Sequence, residues 1–182
     1  MFNLFEVNNI KPVAQLRQQI LDRHLEVEKC SGIYRWWFPK DIAENLLAHF
    51  KSTMPKNSQK LQERNIEGTP YLALYFGISS NMRRRIRWHI CGPFKSSTLR
   101  RTLRAIIAPK EDDKAAEKMV NQMIDSCFWE WDYTESAKLA EEHETKELAQ
   151  EKYTYPLNIS KNNTVTSEWI KELRCMRKGN QK

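Results

Sequence analysis

The sequence predicts an α+β fold, in which helices flank a small central sheet of three strands that is mixed or antiparallel. Short runs rich in aromatic and β-branched residues, which favour strands, alternate along the chain with longer amphipathic or charged runs, which favour helices. The 182 residues are 40% hydrophobic, enough to bury one core, and include only five glycines, too few for a repetitive architecture. We therefore expect one principal domain with extensions.

Three segments carry the strand signal. Residues 30–38 (CSGIYRWWF) and 70–78 (PYLALYFGI) are rich in aromatic and β-branched side chains, and Pro39 ends the first of them. Residues 127–133 (CFWEWDY) alternate in the manner of a strand with one buried face. These segments form the predicted sheet.

The segments between and around the strands carry the helical signal. Asp41, Asn81 and the run Ser96-Ser97-Thr98 are of residue types that cap helices, and each lies at the start of such a segment. The predicted helices cover residues 11–28, 41–50, 82–90, 99–108, 111–124, 135–152 and 167–177.

Positive charge is concentrated in one window of the chain. The formal net charge is +7, and nine of the 30 basic residues but none of the 23 acidic ones lie between Gly68 and Lys110. Such a window is typical of a polyanion-binding protein, because each lysine or arginine that neutralises a phosphate releases a counterion. The alternative is a solvated basic helix face without a partner.

Several classes of protein are disfavoured. The four cysteines include no Cys-x-x-Cys pair, so a zinc site is not expected. No apolar run approaches the ~20 residues that span a bilayer, and the first residues do not resemble a signal peptide. We expect a cytoplasmic protein with reduced thiols and no membrane partner.

Two pairs of residues could carry chemistry. Arg85 and His89 are four positions apart on a predicted helix and are therefore neighbours. The guanidinium could hold a phosphate and the imidazole could move a proton. Taken alone, however, the pair is better interpreted as a solvated arginine and a histidine that ends a basic helix. Tyr34 and Tyr75 on adjacent strands are, taken alone, core residues. A carboxylate of helix 135–152 that faced the same place could ligate Mg²⁺ instead of being solvated.

Taken in chain order, these segments resemble the GIY-YIG nuclease family. The resemblance spans Ser31 to about Ile159. Its five pieces are Gly32-Ile33-Tyr34 on the first strand, Tyr75-Phe76-Gly77 in the second, Arg85 with His89 on the following helix, Glu144 on the acidic helix, and Pro156-Leu157-Asn158. Any one piece matches by chance, but five in order and in the right structural context are specific.

The resemblance implies roles for the first four site residues. Tyr34 would align or deprotonate the attacking water, and Tyr75 would hydrogen-bond the scissile phosphate. Arg85 would stabilise the transition state, and His89 would assist proton transfer. A tyrosine with an ordinary pKa of ~10 is a poor base, so we expect a metal ion and Arg85 to lower that pKa.

The resemblance also implies a metal ligand and a bracing residue. Glu144 would bind a single divalent ion, Mg²⁺ or Mn²⁺, and Asn158 would brace the site or touch the phosphate. The spacing from Glu144 to Asn158 is slightly long for the family, which leaves Glu147 as the alternative ligand.

Two features depart from the family pattern. Tyr34 and Tyr75 are 41 positions apart, so an insertion at about residues 39–69 must separate their strands. Many members carry a lysine after the second motif, where this chain has Ile78, so Arg84 or another residue must supply that charge. The predicted organisation is an N-terminal helical extension (1–30), a nuclease domain (31–160) and a C-terminal helical tail (161–182).

The resulting hypothesis is a metal-dependent DNA endonuclease, restriction-like or stand-alone, that could act as a homodimer. The alternative is a non-catalytic nucleic-acid-binding module that uses the basic region 83–104. In both, the candidate DNA contacts are the basic residues Arg83, Arg84, Arg87, Lys95, Arg100, Arg101 and Arg104.

Overall fold

The computed structural model describes residues 9–52, 61–149, 153–160 and 162–179. Within these ranges the chain forms five strands and seven α-helices. In chain order they are β1 (Asn9–Pro12), α1 (Val13–Leu21), β2 (Gly32–Pro39), α2 (Lys40–Leu47), β3 (Glu63–Ile66), β4 (Thr69–Ser79), α3 (Met82–Ile90), α4 (Thr98–Ile107), α5 (Asp113–Asp125), β5 (Phe128–Tyr133), α6 (Ala137–Ala149) and α7 (Ser167–Gly179).

The strands form one antiparallel sheet in the order β1-β5-β2-β4-β3. The α+β class is confirmed, and the three predicted strands are the central ones. The predicted number of strands is too small, because the two edge strands were missed. Each has only four residues, and β3 (ERNI) has three polar residues. Short polar strands are common at sheet edges because they discourage pairing with other chains.

The N-terminal segment differs from the single helix predicted over residues 11–28. β1 occupies its start, and α1 ends at Leu21 because Arg23 adopts a left-handed conformation with φ 63°. Leu25 and Val27 are then buried with an exposed residue between them, the alternation of an extended segment and not of a helix.

Helices cover both faces of the sheet. Tyr34 and Trp36 of β2 lie in a core cluster with apolar residues of α1, α2, α3, α4, α5 and α7. The alternate residues Ile33 and Trp37 lie in a second cluster with residues of α6. Because both faces of β2 are covered, all of its residues from Gly32 to Phe38 are buried.

The predicted insertion, about residues 39–69, contributes α2 and β3, and its residues 53–60 lie outside the described ranges. Predictions that fall on residues 1–8, 150–152, 161 and 180–182 also lie outside them. Among the described residues, no helix is long and apolar enough to cross a membrane.

Candidate active site

Tyr34 and Tyr75 lie on neighbouring strands and on the same face of the sheet, because Tyr75 pairs with Trp36, two residues along β2 from Tyr34. The register shifts at the Trp36–Trp37 step, where Leu74 has no partner on β2. An extra residue of this kind is a β-bulge, which interrupts the alternation of side chains. Leu74 and Tyr75, although consecutive, therefore both join the cluster that contains Tyr34. The ring centroids of the two tyrosines are 6.3 Å apart.

The glycines of the two motifs make room for close approach. A β-carbon at Gly77 would lie 2.5 Å from the hydroxyl oxygen of Tyr34, which crosses over it from β2. A β-carbon at Gly32 would lie 2.4 Å from the backbone oxygen of Asp132 on β5. Only glycine allows both contacts, so Gly77 makes room for the Tyr34 ring and Gly32 for the close approach of β2 to β5.

Helix α3 presents Arg85 and His89 to this face. The Asn81 side chain caps the helix by accepting a hydrogen bond from the Arg84 amide at 2.9 Å. The buried side chains of α3 are Met82, Ile86, His89 and Ile90. Arg85 is half-buried at the border of this stripe, and its Nε is buried with no hydrogen-bond partner among the described residues.

His89 connects the tyrosines to α4. It is 1% exposed, and its Nε2 lies 2.8 Å from the Tyr34 hydroxyl oxygen. Its Nδ1 lies 2.7 Å from Oγ of Ser97, which also caps α4 by accepting from the Arg100 amide at 3.1 Å. Ser97 appeared in the sequence only as part of a helix-capping run. Its contact with His89 makes it a site residue that the sequence reasoning missed.

Burial determines the protonation states of these groups. It holds the pKa of His89 well below 6.5, and Arg85 and Arg100 lower that pKa further, so the imidazole is neutral. Burial also raises the pKa of Tyr34 well above 10 and raises the pKa of Tyr75. Arg85 lowers both tyrosine pKa values, as predicted, but less than burial raises them.

The lowered pKa of His89 predicts a pH-dependent stability. In the unfolded chain this imidazole takes up a proton near pH 6.5, whereas in the folded protein it does not. The free energy of unfolding should therefore fall as the pH drops from 7 to 5, by up to about 1.4 kcal/mol per pH unit from this residue. Urea unfolding of wild type and His89→Asn at pH 5, 6 and 7 measures it. The variant should show the smaller pH dependence, and equal pH dependence in both proteins would contradict the prediction.

The two candidate metal ligands on α6 have different environments. Glu147 is buried and accepts a hydrogen bond from the Tyr155 hydroxyl at 2.5 Å, and its carboxylate lies 4.0 Å from the Arg35 guanidinium. Arg35 in turn lies 3.7 Å from Glu130, which accepts from the Trp37 indole at 2.8 Å. Glu147 is therefore engaged in a buried network that fastens α6 to the sheet.

Glu144, one turn earlier, is half-buried and close enough to the tyrosines for its charge to act on them. Its carboxylate raises the pKa of both Tyr34 and Tyr75, although less than burial does. Arg85, in contrast, lowers the pKa of both hydroxyls. Four of the predicted site residues, together with His89, thus converge on one place.

This place could hold a hard divalent cation. The described residues contain no group of three or more His, Cys, Asp or Glu side chains suited to a metal ion. Mg²⁺ does not need one, since it commonly uses one or two carboxylates, waters and substrate phosphates. The oxygen donors Glu144, Tyr34 and Tyr75 fit that requirement.

Asn158 braces the second motif strand. Its Oδ1 accepts from the Phe76 amide at 2.9 Å, and its Nδ2 donates to the Phe76 carbonyl at 2.7 Å. The Leu157 amide donates to the carbonyl of Leu74, the bulge residue, at 3.0 Å. Of the two roles expected for Asn158, the buried geometry favours bracing over phosphate contact.

The predicted DNA contacts occupy different environments. Arg84, Arg87 and Lys95 are exposed. Arg100 is 1% exposed, and its guanidinium donates to the Ile90 carbonyl at 3.0 Å and to Asn121 at 2.8 Å. The structure therefore does not support a DNA contact by Arg100, which instead ties α4 to α3 and α5.

Two of the three half-buried members of the predicted set are also engaged, and Arg101 is the exception. Arg83 donates to the Val27 carbonyl at 2.5 Å, and Arg104 forms an ion pair with Asp113 at 2.6 Å. Arg101 has its Nε buried without a hydrogen-bond partner among the described residues.

Comparison with known proteins agrees with this geometry. The sequence model of the GIY-YIG catalytic domain matches residues 32–179, from the first motif glycine to the end of α7. Searches of curated proteins and of solved structures found no match to the chain. The matched region is most of the chain and contains every residue of the site, so the protein belongs to the GIY-YIG catalytic domain family.

Proposed function

We propose that the protein is a metal-dependent DNA endonuclease that hydrolyses phosphodiester bonds. The convergence of two buried tyrosine hydroxyls, a neutral buried imidazole and an arginine without an acidic partner in the described ranges supports this proposal. A fold needs no such set for its stability, because burying the hydroxyls and the imidazole costs free energy. Perturbed groups that cluster around one place are typical of catalytic sites.

Arg85 and Tyr75 bind the scissile phosphate in this proposal. The Arg85 guanidinium has a buried Nε with a free donor, as a phosphate oxygen requires. Charge that develops on the phosphoryl oxygens in the transition state strengthens these contacts, and the low dielectric of the site increases their effect. Tyr75, whose hydroxyl stays protonated, donates to the same group.

Tyr34 and His89 handle the proton of the attacking water. Because the pKa of Tyr34 is high, the tyrosine does not act as a preformed tyrosinate. Its hydroxyl instead takes the water proton while its own proton passes to Nε2 of His89, 2.8 Å away. The positive charges of Arg85 and Arg100 oppose protonation of His89, and the anionic phosphate bound at Arg85 offsets them. Ser97 accepts a hydrogen bond from Nδ1 of His89.

Glu144 holds the divalent ion, Mg²⁺ or Mn²⁺, which supplies neutralisation of charge on the scissile phosphate when bound. The exposed basic residues Arg84, Arg87 and Lys95 contact neighbouring phosphates and carry no sequence information themselves. Cleavage of both strands by one site per chain would require a homodimer or two successive nicks.

Incubation with supercoiled plasmid in Mg²⁺, in Mn²⁺ and in EDTA tests the proposal. We expect relaxed or linear DNA with either metal and none with EDTA. The Arg85→Ala protein, purified in the same way, should cleave about 10²–10³-fold more slowly, because it lacks the donor for the transition state. Its slower rate also rules out a contaminating nuclease.

The alternative function, a non-catalytic nucleic-acid-binding module, is distinguished by the same experiment. The exposed basic residues suit that module equally well. Binding of the plasmid without cleavage in either metal would contradict the nuclease and leave the module.

A further inference from the structure

Helix α7 contributed no residue to the predicted site, yet it packs beside the site. Leu173 belongs to the core cluster that contains Tyr34 and Tyr75, and Met176 packs against that cluster. The helix also contacts α4, whose capping residue Ser97 touches His89. The residue that follows Met176 is Arg177, which is half-buried.

Arg177 lies on the helix that packs against α4, close enough to Arg101 and Tyr75 for their charges to act on it. Burial and Arg101 lower the pKa of Arg177, whereas Tyr75 acts in the opposite direction. Arg85 and Arg177 in turn both lower the pKa of Tyr75 against the effect of burial. One guanidinium from α3 and another from α7 thus lower the pKa of the Tyr75 hydroxyl.

Arg101 lies one helical turn beyond the Ser97 cap. Its amide donates to the Ser97 carbonyl at 3.0 Å, as in a regular first turn. Its Nε is buried and makes no hydrogen bond with any described residue. Arg101 therefore leaves a buried donor unused on the helix that contacts α7.

The charges of Arg101 and Arg177 are not balanced by an acidic partner among the described residues. Neither side chain forms a hydrogen bond or an ion pair with a described residue. Arg100 and Arg104, on the same helix as Arg101, do have acidic partners, which are Glu117 and Asp113 respectively. Two guanidiniums that repel one another and have unused donors are unfavourable unless an anion lies near both.

We propose that Arg101 and Arg177 form a second phosphate site, beside Tyr75, for the DNA backbone phosphate adjacent to the scissile one. The proposal rests on the proposed function for the identity of the anion. A planar guanidinium suits phosphate because it donates two parallel hydrogen bonds. A contact one nucleotide away from the reacting phosphate holds the strand in place, so its energy contributes to binding and orientation more than to the chemical step.

The first experiment measures DNA binding in EDTA over a range of salt concentrations. Arg177→Gln and Arg101→Gln should each weaken binding about tenfold or more, since each removes a charge-assisted contact. The double variant should lower the slope of log affinity against log salt by about one, because a single phosphate is lost. Lys171→Gln, an exposed residue of α7, is the matched control and should leave the slope unchanged.

The second experiment separates binding from chemistry and from folding. In Mg²⁺ the Arg177→Gln protein should show a raised KM and a kcat near that of wild type. Its thermal midpoint should equal or exceed that of wild type, because removing one charge relieves repulsion, whereas a structural role would lower it. Arg177→Lys, which keeps the charge, should recover part of the affinity.

Three outcomes would overturn the proposal. Arg177→Gln could bind like Lys171→Gln, it could lose kcat with an unchanged salt slope, or it could lose stability with its affinity. Binding in EDTA does not depend on cleavage. A protein that never cleaves but shows the expected change of slope would therefore retain the phosphate site and reject the nuclease.

Discussion

The Glu144→Gln protein is expected to lose more than about 10³-fold of its Mg²⁺-dependent cleavage rate and to unfold like wild type. The amide has the shape of the carboxylate but not its charge, so it binds a divalent cation much more weakly. A bound metal supplies several kcal/mol of transition-state stabilisation, and each 1.4 kcal/mol is a factor of about ten in rate. Because Glu144 is only half-buried, its replacement should change stability little.

Glu147→Gln is the matched control, three residues further along α6. Its carboxylate accepts a hydrogen bond from the Tyr155 hydroxyl and lies 4.0 Å from the Arg35 guanidinium in a buried network. Loss of that charge should destabilise the fold by about 1–3 kcal/mol, while the folded fraction keeps its cleavage rate. Rates against Mg²⁺ concentration and urea unfolding curves measure both effects. Loss of cleavage in Glu147→Gln without loss of stability, together with an active Glu144→Gln, would reverse the assignment.

The sequence could distinguish the central strands and the chemistry-bearing residues, but not all of their orientations. Strict alternation along β4 places Leu72 and Leu74 on one face and Tyr75 on the other. The bulge at Leu74 removes this conflict, and the Leu157 amide stabilises it by hydrogen-bonding the Leu74 carbonyl. A partner more than 80 positions away cannot be read from the local pattern of β4.

The sequence also could not show which arginines have partners within the fold. Arg100 and Arg101 are adjacent and of the same type, yet Arg100 is 1% exposed and satisfied by Ile90 and Asn121, whereas the Nε of Arg101 has no partner in the described ranges. Their difference depends on which side of α4 faces α5, and tertiary packing decides that. Ser97 shows the same limit, because a helix cap and a histidine partner look alike in one sequence.

The Tyr34→Phe protein is expected to cleave about 10²–10⁴-fold more slowly at neutral pH, which is the usual contribution of general acid–base catalysis. The phenyl ring fills the same buried space over Gly77, so only the hydroxyl and its contact with His89 are lost. Without an acceptor for the water proton, the residual reaction must use hydroxide from solution. Its rate should therefore rise about tenfold per pH unit between pH 7 and 9, whereas the wild-type rate should vary less.

Single-turnover rates at saturating DNA and Mg²⁺ measure this difference without interference from product release. Tyr71→Phe is the matched control, since Tyr71 is also a buried tyrosine of the sheet but lies in the cluster on the opposite face. That variant should keep the wild-type rate and pH profile. If Tyr34→Phe kept more than about a tenth of the rate, or kept the wild-type pH profile, the proton would not pass through Tyr34. Tyr75, whose pKa Arg85 also lowers, would then be the next residue to replace by phenylalanine.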